Sequence, residues 1–478
     1  MKKEDLFESF KDINEEDVKR ARQYKARKTP VWIRWGALAA CVMISITAIL
    51  GSSLFRNGHT DAPSGLIVSE AVYPKPTASD FSAQKFMYSD TRWNWLDTYS
   101  KLAEESAKLQ NGMNRYYAEL MDKVLVGKKD ENTVCSPLNT YIALAMLAEV
   151  SDGNTRQQIL DVLQVSDIET LRRNIRTIWE SNYVDTPILK SLLANSLWLN
   201  DLYTYNDETM KRLAETYYAS SFSGDPGSKE MLQALRDWTD KNTGGLLSEH
   251  VKNMYMDSDT VLALVSTIYF KAMWTIEFDK HMTTQETFHG TLGDTTVDMM
   301  HITDSMDVFS SDHFIALGLN LNDSGAMYFY LPNKGVDVDL LASDPDVINA
   351  TRFGEGKEWS SPKVNLSVPK FRVSCNTNLL GIIEEMGITD ALDPRLSDFT
   401  PLTEDLDGIY LSHAEHAAIV EIDECGVTGA AYTELVLNKE SAFSTDDEID
   451  FILDRPFMFV ITGRDGSILF SGIVRNID

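Results

Sequence analysis

Basic residues are scarce in this 478-residue chain: Lys and Arg number 44 against 72 Asp and Glu, a formal net charge of −28. That balance argues against nucleic-acid binding, which depends on a concentrated basic face. The acidity itself reports solubility and self-repulsion and names no partner. Cysteine is scarce too. Cys41, Cys135, Cys375 and Cys425 lie far apart with no CxxC or metal spacing, which argues against a disulfide framework at this chain length and against a thiolate metal site. The eight histidines are scattered, and no HExxH, GxSxG or P-loop pattern occurs. The sequence offers no catalytic constellation, so no enzyme is expected, and no cofactor or metal site.

Apolar surface is plentiful. The chain is 43% hydrophobic, enough for one large domain or two to three small ones. One apolar run stands apart near the N-terminus: Trp35–Phe55, WGALAACVMISITAILGSSLF, gives 21 positions without a charge, sufficient to cross a bilayer core of roughly 30 Å. Lys19, Arg20, Arg22, Lys25, Arg27, Lys28 and Arg34 precede it, and only Arg56 follows closely. The positive-inside rule therefore puts residues 1–34 in the cytoplasm and everything after the span outside. The polar region before the run is over 30 residues long and rich in acids, unlike a cleaved signal peptide. Leu38–Cys41, LAAC, is similar to a bacterial lipoprotein cleavage box, but the apolar VMISITAIL follows where a polar tether belongs. Residues 56–80 hold three prolines and few apolar clusters, the composition of a tether. The expected organisation is a cytoplasmic tail (1–34), a transmembrane anchor of bacterial style (35–55), a linker (56–80) and a folded domain (81–478).

Within that domain, residues 114–125 carry apolar residues at helical spacing, and CSPLNTYIALAMLAEV (135–150) is a Pro-initiated apolar helix, hydrophobic enough to be central. LLANSLWLN (192–200) and VLALVSTIYFKAMW (261–274) have the pattern of strands. The second is nearly all apolar and is expected to be buried on both faces. YFYLP (328–332), KVNLSVPKFRV (363–373) and the C-terminal segments add more. Helices dominate the first third and strands the last half, the distribution of an α+β domain around a large sheet.

ECGVTGAAYTELV, Glu424–Val436, fits none of these elements. Its glycines and alanines are poor strand formers, and about 25 residues without a regular signal separate Glu424 from Phe451, a length that marks a functional or disordered loop. A period-two pattern nevertheless begins at Val427. Val427, Gly429, Ala431, Thr433, Leu435 and Leu437 are uncharged, whereas the alternate set Thr428, Ala430, Tyr432, Glu434, Val436 and Asn438 holds the only charge. A segment that becomes a central strand points one set into the core, where a charge is prohibitive. Small residues at its start let it change conformation and enter between existing strands.

From about residue 100 to 478 the chain resembles a serpin. The resemblance rests on SPLNTYIALAMLAEVSDGNTRQQIL, LRDWTDKNTGGLL, LVSTIYFKAMW, VPKF, MGITDAL, SHAEHAAIVEIDECG, DRPFMF and SILFSG, which follow in the family's order. It implies one domain of three β-sheets with eight or nine helices and an exposed reactive-centre loop that inserts into the main sheet. Glu424, Gly426, Ala430 and Ala431 match the family's hinge; Val427 stands for Thr or Ser, Gly429 for Ala, Thr428 and Thr433 continue the segment, and Tyr432 interrupts the small run. Trp274 matches the tryptophan beneath the loop's entry point. Under the middle of the sheet, Ser136 and His416 match members of a polar network. There Asn139 stands where a second serine is expected and Ser266 where an asparagine is, an exchange expected to preserve one network.

The resemblance also implies the scissile bond. Gly426 occupies the position fifteen residues before it, which makes Glu440 the specificity residue and Ser441 the next. The longer span from Ser441 to Phe457 leaves room for cleavage at Ala442 or Phe443, suiting elastase- or chymotrypsin-like proteases. The implied function is a monomeric serine protease inhibitor tethered outside the cell by one N-terminal helix. A non-inhibitory serpin acting as a surface binding or structural protein stays open beside it.

Overall fold

The structure, a computed structural model, describes residues 66–252, 254–351, 359–404, 408–427 and 448–477. The expected tail 1–34 and anchor 35–55 lie outside the described residues; among those described, no helix is long and apolar enough to cross a membrane.

Three sheets carry the fold. The main sheet runs, in spatial order, Ile67–Ser69, Ala219–Gly224, Leu189–Asn200, Leu262–Met273, Gly426–Val427, Glu415–Ile422 and Phe371–Asn378, with Val184–Asp185 paired beside Leu189–Asn200. The second sheet has seven strands, ending with Phe457–Thr462, Ile468–Val474 and Thr133–Cys135, and the third has four, with Glu448–Ile452 at its edge beside Lys363–Pro369. Among the described residues the helical segments outnumber the eight or nine expected, because short turns such as Ala83–Met87, Ser248–Val251 and Asp339–Ala342 are helical too.

The 36-residue helix Asp90–Leu125 starts at Ser89, whose hydroxyl accepts from the Arg92 amide at 3.1 Å and satisfies one of the orphan donors of the first turn. The Ser-Pro helix Pro137–Glu149 begins with proline, whose missing N–H costs nothing there. All but one of its residues are buried, because it lies between Leu262–Met273 of the main sheet and Ile468–Val474 of the second. On the main sheet's other face, helix Lys229–Asn242 lies over Leu189–Asn200 and Leu262–Met273. It closes a smaller core of Trp198, Phe222, Met231, Leu235 and Trp238.

Two expectations differ from what is observed. Residues 66–80, within the segment expected to be a tether, pack on the domain: Ile67 pairs with Phe222 and Ser69 with Ser221, because Leu66, Ile67 and Tyr73 have apolar partners at the sheet's outer edge. Strand Leu262–Met273 is mostly half-buried instead of enclosed on both faces, because one of its edges faces a gap.

Candidate functional site

That gap lies between Leu262–Met273 and Glu415–Ile422. Among the described residues no ladder joins these two strands directly. At one end they are bridged by Gly426–Val427: Gly426 lies opposite Met273, Val427 opposite Ala272, and Val427 also opposite Ile422. The chain reverses through Asp423–Gly426, where the Asp423 carboxylate accepts from the amides of Cys425 at 2.8 Å and Gly426 at 3.2 Å. Gly426 is needed for close approach. A Cβ there would lie 2.1 Å from the Ala272 carbonyl oxygen and 2.9 Å from the Met273 Cα, far inside contact distance. Its sequence position suggests flexibility; its surroundings show a steric requirement.

Glu424 anchors the same turn. It is 5% exposed, and its Oε1 accepts from Lys370 Nζ at 2.6 Å and from Thr283 Oγ1 at 2.9 Å. Burial pushes the Glu424 carboxyl up, but the hydrogen bonds from Lys370 and Thr283 outweigh it and hold the group below its ordinary value. Trp274, 1% exposed, donates from its indole nitrogen to the Asp423 carbonyl at 2.9 Å, and its backbone amide donates to the Cys425 carbonyl at 3.0 Å. Its ring therefore lies under the turn from which the loop departs.

Halfway along the gap, the Ser-Pro helix holds each flank separately. On one side the Ser136 amide donates to Nε2 of His416 at 2.9 Å, which requires that nitrogen to be unprotonated. Burial pushes the His416 imidazolium down to about 4, so the ring is neutral at physiological pH. On the other side, Asn139 Nδ2 donates to the Ser266 carbonyl at 2.8 Å, and Asn139 Oδ1 accepts from the Ser266 hydroxyl. The four residues expected to share one network form two pairs, one per flank. Asn195 joins the second: its Oδ1 lies 2.8 Å from the Ser266 hydroxyl, and its Nδ2 donates to the Tyr217 carbonyl at 2.7 Å. The hydroxyl has one proton and faces two amide oxygens.

The gap opens into a cavity of about 80 Å³ beneath helix Lys229–Asn242, lined by Thr243, His250, Ser266, Ile268, Ala418 and Val427 among others. Just before the two flanking strands begin, His413 Nε2 and Asp257 Oδ2 meet at 3.0 Å. Among the described residues, this is a sheet in which Gly426–Val427 alone is seated between two strands that no ladder joins directly. Cys135 and Cys375 are free thiols, and no metal-binding cluster occurs among the described residues.

Of the residues singled out in the sequence, Glu424, Gly426, Val427 and Trp274 meet at one end of the gap and Ser136, Asn139, Ser266 and His416 at its middle. Thr428, Gly429, Ala430, Ala431, Thr433, Glu440, Ser441, Ala442 and Phe443 lie outside the described residues. Sequence reasoning passed over Lys370, Thr283 and Asn195. Lys370 was visible within VPKF as a lone cation between apolar residues, and Asn195 as an amide inside the apolar LLANSLWLN; Thr283 carries no comparable signal.

The family model described as "Serpin (serine protease inhibitor)" matches residues 111–477. Serpin-ZX of Arabidopsis thaliana is 27% identical over 391 residues, which cover 77% of this chain and 98% of that one. Among solved structures, the thermophilic serpin tengpin in its native state superposes with a TM-score of 0.68 at 21% identity, covering 77% of this chain and 93% of its own. Human thyroxine-binding globulin superposes with a TM-score of 0.65 at 23% identity, covering 80% and 99%. The family model covers the Ser-Pro helix and both strands that flank the gap, and the chain belongs to the serpin family, whose members are protease inhibitors more generally than enzymes.

Proposed function

We propose that the chain inhibits serine proteases by cleavage of its reactive loop followed by insertion of that loop into the gap. The observation that carries this reading is the seating of Gly426–Val427 between Leu262–Met273 and Glu415–Ile422. These two residues form the first rungs of a ladder whose continuation along the gap would take the loop, with Val427 setting the phase that buries Gly429, Ala431 and Thr433. In the reaction, the protease serine attacks the carbonyl of the specificity residue, Glu440 by register or Ala442 by chemistry. The peptide bond breaks, the new amine leaves, and the loop remains as an acyl-enzyme. Insertion then adds hydrogen bonds of about 0.5–1.5 kcal/mol each and carries the acylated protease away before water completes hydrolysis. This chain supplies a substrate and a conformational change, and all the catalytic groups are the protease's.

Incubation with elastase-, chymotrypsin- and glutamate-specific proteases tests the reading. Complexes that survive SDS support it, and the mass of the released C-terminal peptide gives the bond. Cleavage without a complex overturns it in favour of a non-inhibitory serpin; thyroxine-binding globulin, by its name a binding protein, has the same fold.

The charge asymmetry around Trp35–Phe55 supports an outward-facing domain on a single N-terminal anchor. Protease treatment of intact cells should then remove the domain and leave a short stub. Protection until lysis would reverse the orientation.

A further inference from the structure

The ladder at the end of the gap sets the place each later loop residue would take. Val427 is opposite Ala272 on one flank and Ile422 on the other. In an antiparallel ladder each step forward along one strand is a step back along its partner. Tyr432, five positions after Val427, therefore falls opposite Thr267 and Ala417. Those two residues share a face of the sheet. Their neighbours Ser266 and His416 point towards the Ser-Pro helix, where they meet Asn139 and Ser136, and successive side chains of a strand alternate between faces. Thr267 and Ala417 thus face the opposite layer, that of helix Lys229–Asn242 and the short helix Ser248–Val251.

At that spot the structure has the cavity of about 80 Å³, with Thr267 and Ala417 in its floor and Thr239, Thr243, His250 and Val251 in its roof. The two floor side chains are small. In the roof, Nδ1 of His250 is buried and has no hydrogen-bond partner among the described residues. Buried polar atoms are paired as a rule, so this nitrogen points to a partner that the seated part of the loop does not supply. Nearer the turn the surroundings differ. Ala430 falls opposite Tyr269, whose ring already fills the space beneath the chain: a Cβ on Gly244 would lie 2.6 Å from Tyr269 Cε2. The loop brings a small residue to the filled position and an aromatic one to the cavity. Tyr432 would also be the diagonal neighbour of Tyr269, within reach of an aromatic pair.

We propose that Tyr432 locks the inserted loop, its ring entering this cavity and its hydroxyl pairing with His250 Nδ1. The lock rests on the reading that the loop inserts. A hydroxyl both donates and accepts, so the pairing suits either tautomer of a neutral imidazole. Tyr432 is a positioning residue and touches no reacting atom. The tyrosine that breaks the run of small residues thereby has a task of its own: the small residues admit the loop, and Tyr432 holds it.

The test compares denaturant midpoints of the full chain before and after the loop is cut beyond Asn438. Cutting should raise the parent's midpoint, and the rise should shrink in Tyr432→Ala and shrink less in Tyr432→Phe. His250→Ala should abolish the difference between Tyr and Phe, a non-additivity that mere bulk would not produce. A second arm alters no residue of the protein: a labelled peptide of residues 428–438 is annealed to the parent and its release followed. The peptide carrying Tyr432→Ala should leave roughly ten- to a hundredfold faster, the range for one buried aromatic side chain. The one carrying Tyr432→Phe should leave roughly two- to tenfold faster, the range for one hydrogen bond. This arm keeps the test decisive should a variant protein fail to fold. Equal rises in parent and Tyr432→Ala, with all three peptides leaving at one rate, would overturn the lock and leave the inhibitory reading standing. Tyr and Phe peptides leaving together would overturn the bond to His250. No rise on cutting the parent, and no annealing of any peptide, would overturn insertion itself and the lock with it.

Discussion

Val427→Arg puts a charge on the first seated residue of the loop. Val427 is 3% exposed, between Ala272 on one side and Ile422 on the other. Replacing it removes apolar burial worth about 1.5–3 kcal/mol. An unpaired guanidinium at that position would cost several kcal/mol more even after relaxation, so the hinge should stay out of the sheet and the first ladder bonds should fail to form. A conservative total is roughly 3 kcal/mol added to the earliest step of insertion. Each 1.36 kcal/mol is tenfold in rate, so insertion should slow by about a hundredfold or more. Hydrolysis of the acyl-enzyme takes place at the scissile bond, many residues away, and should be unchanged. Titrating a fixed amount of protease with the protein reads the competition: the parent should need approximately equimolar inhibitor, and the Arg variant many times more, with cleaved loop accumulating and no SDS-stable complex. Val427→Ala, which loses packing but adds no charge, should fall between them and near the parent. An Arg variant that traps protease at the parent's stoichiometry would refute insertion through this gap.

Asn139→Ser removes both hydrogen bonds to Ser266 and should cost about 1–3 kcal/mol; adding Ser266→Asn should recover most of it, and strictly additive denaturation energies would show that the two positions are uncoupled. His416 has a folded value of about 4 against an ordinary 6.5, so below neutrality the unfolded chain takes up the proton first. The stability this residue contributes is complete above about pH 6.5 and lost progressively down to about pH 4, roughly 3 kcal/mol in all. Denaturant midpoints between pH 7 and 4 should show this slope and His416→Gln should flatten it; an equal slope in both assigns the acid sensitivity elsewhere. Gly426→Ala forces a methyl onto the Ala272 carbonyl oxygen and should cost about 1–3 kcal/mol, read as a lower denaturant midpoint at unchanged m-value; a neutral result would mean the turn shifts freely.

Elements with strong periodicity were legible in the sequence. The Ser-Pro helix declares itself by proline at its first turn and an almost unbroken apolar run, and the hinge by alternation that starts at Val427. What could not be read is where two segments distant in sequence meet. Gly426 looks like any small residue in a small-residue run, and only the Ala272 carbonyl opposite shows why it carries no side chain. Lys370 and Glu424 are 54 positions apart, and no local pattern pairs them. Residues 66–80 misled because short apolar groups flanked by prolines have the composition of a linker; Leu66, Ile67 and Tyr73 pack at the sheet's edge only because Phe222, Met231 and Trp179 await them. Strand Leu262–Met273 misled in the opposite sense. Its apolarity suits an enclosed strand, and among the described residues only Gly426–Val427 lies against the edge that faces the gap.

The gap has a consequence for backbone amides one residue at a time. In Leu262–Met273 the pairing with Leu189–Asn200 runs from Ala272 opposite Leu189 to Leu262 opposite Leu199. In an antiparallel ladder, successive residues direct their N–H groups to opposite edges. Every second amide of this strand is thus tied to Leu189–Asn200, and the ones between them, short of the end paired with Gly426–Val427, point into the gap. The same holds for Glu415–Ile422 against Phe371–Asn378. Deuterium exchange should therefore alternate along both strands. Gap-side amides should exchange through local openings of small free energy, and their immediate neighbours only through events that approach global unfolding. Filling the gap should erase the alternation, so the exchange pattern of these two strands is a residue-by-residue gauge of how far a strand has entered.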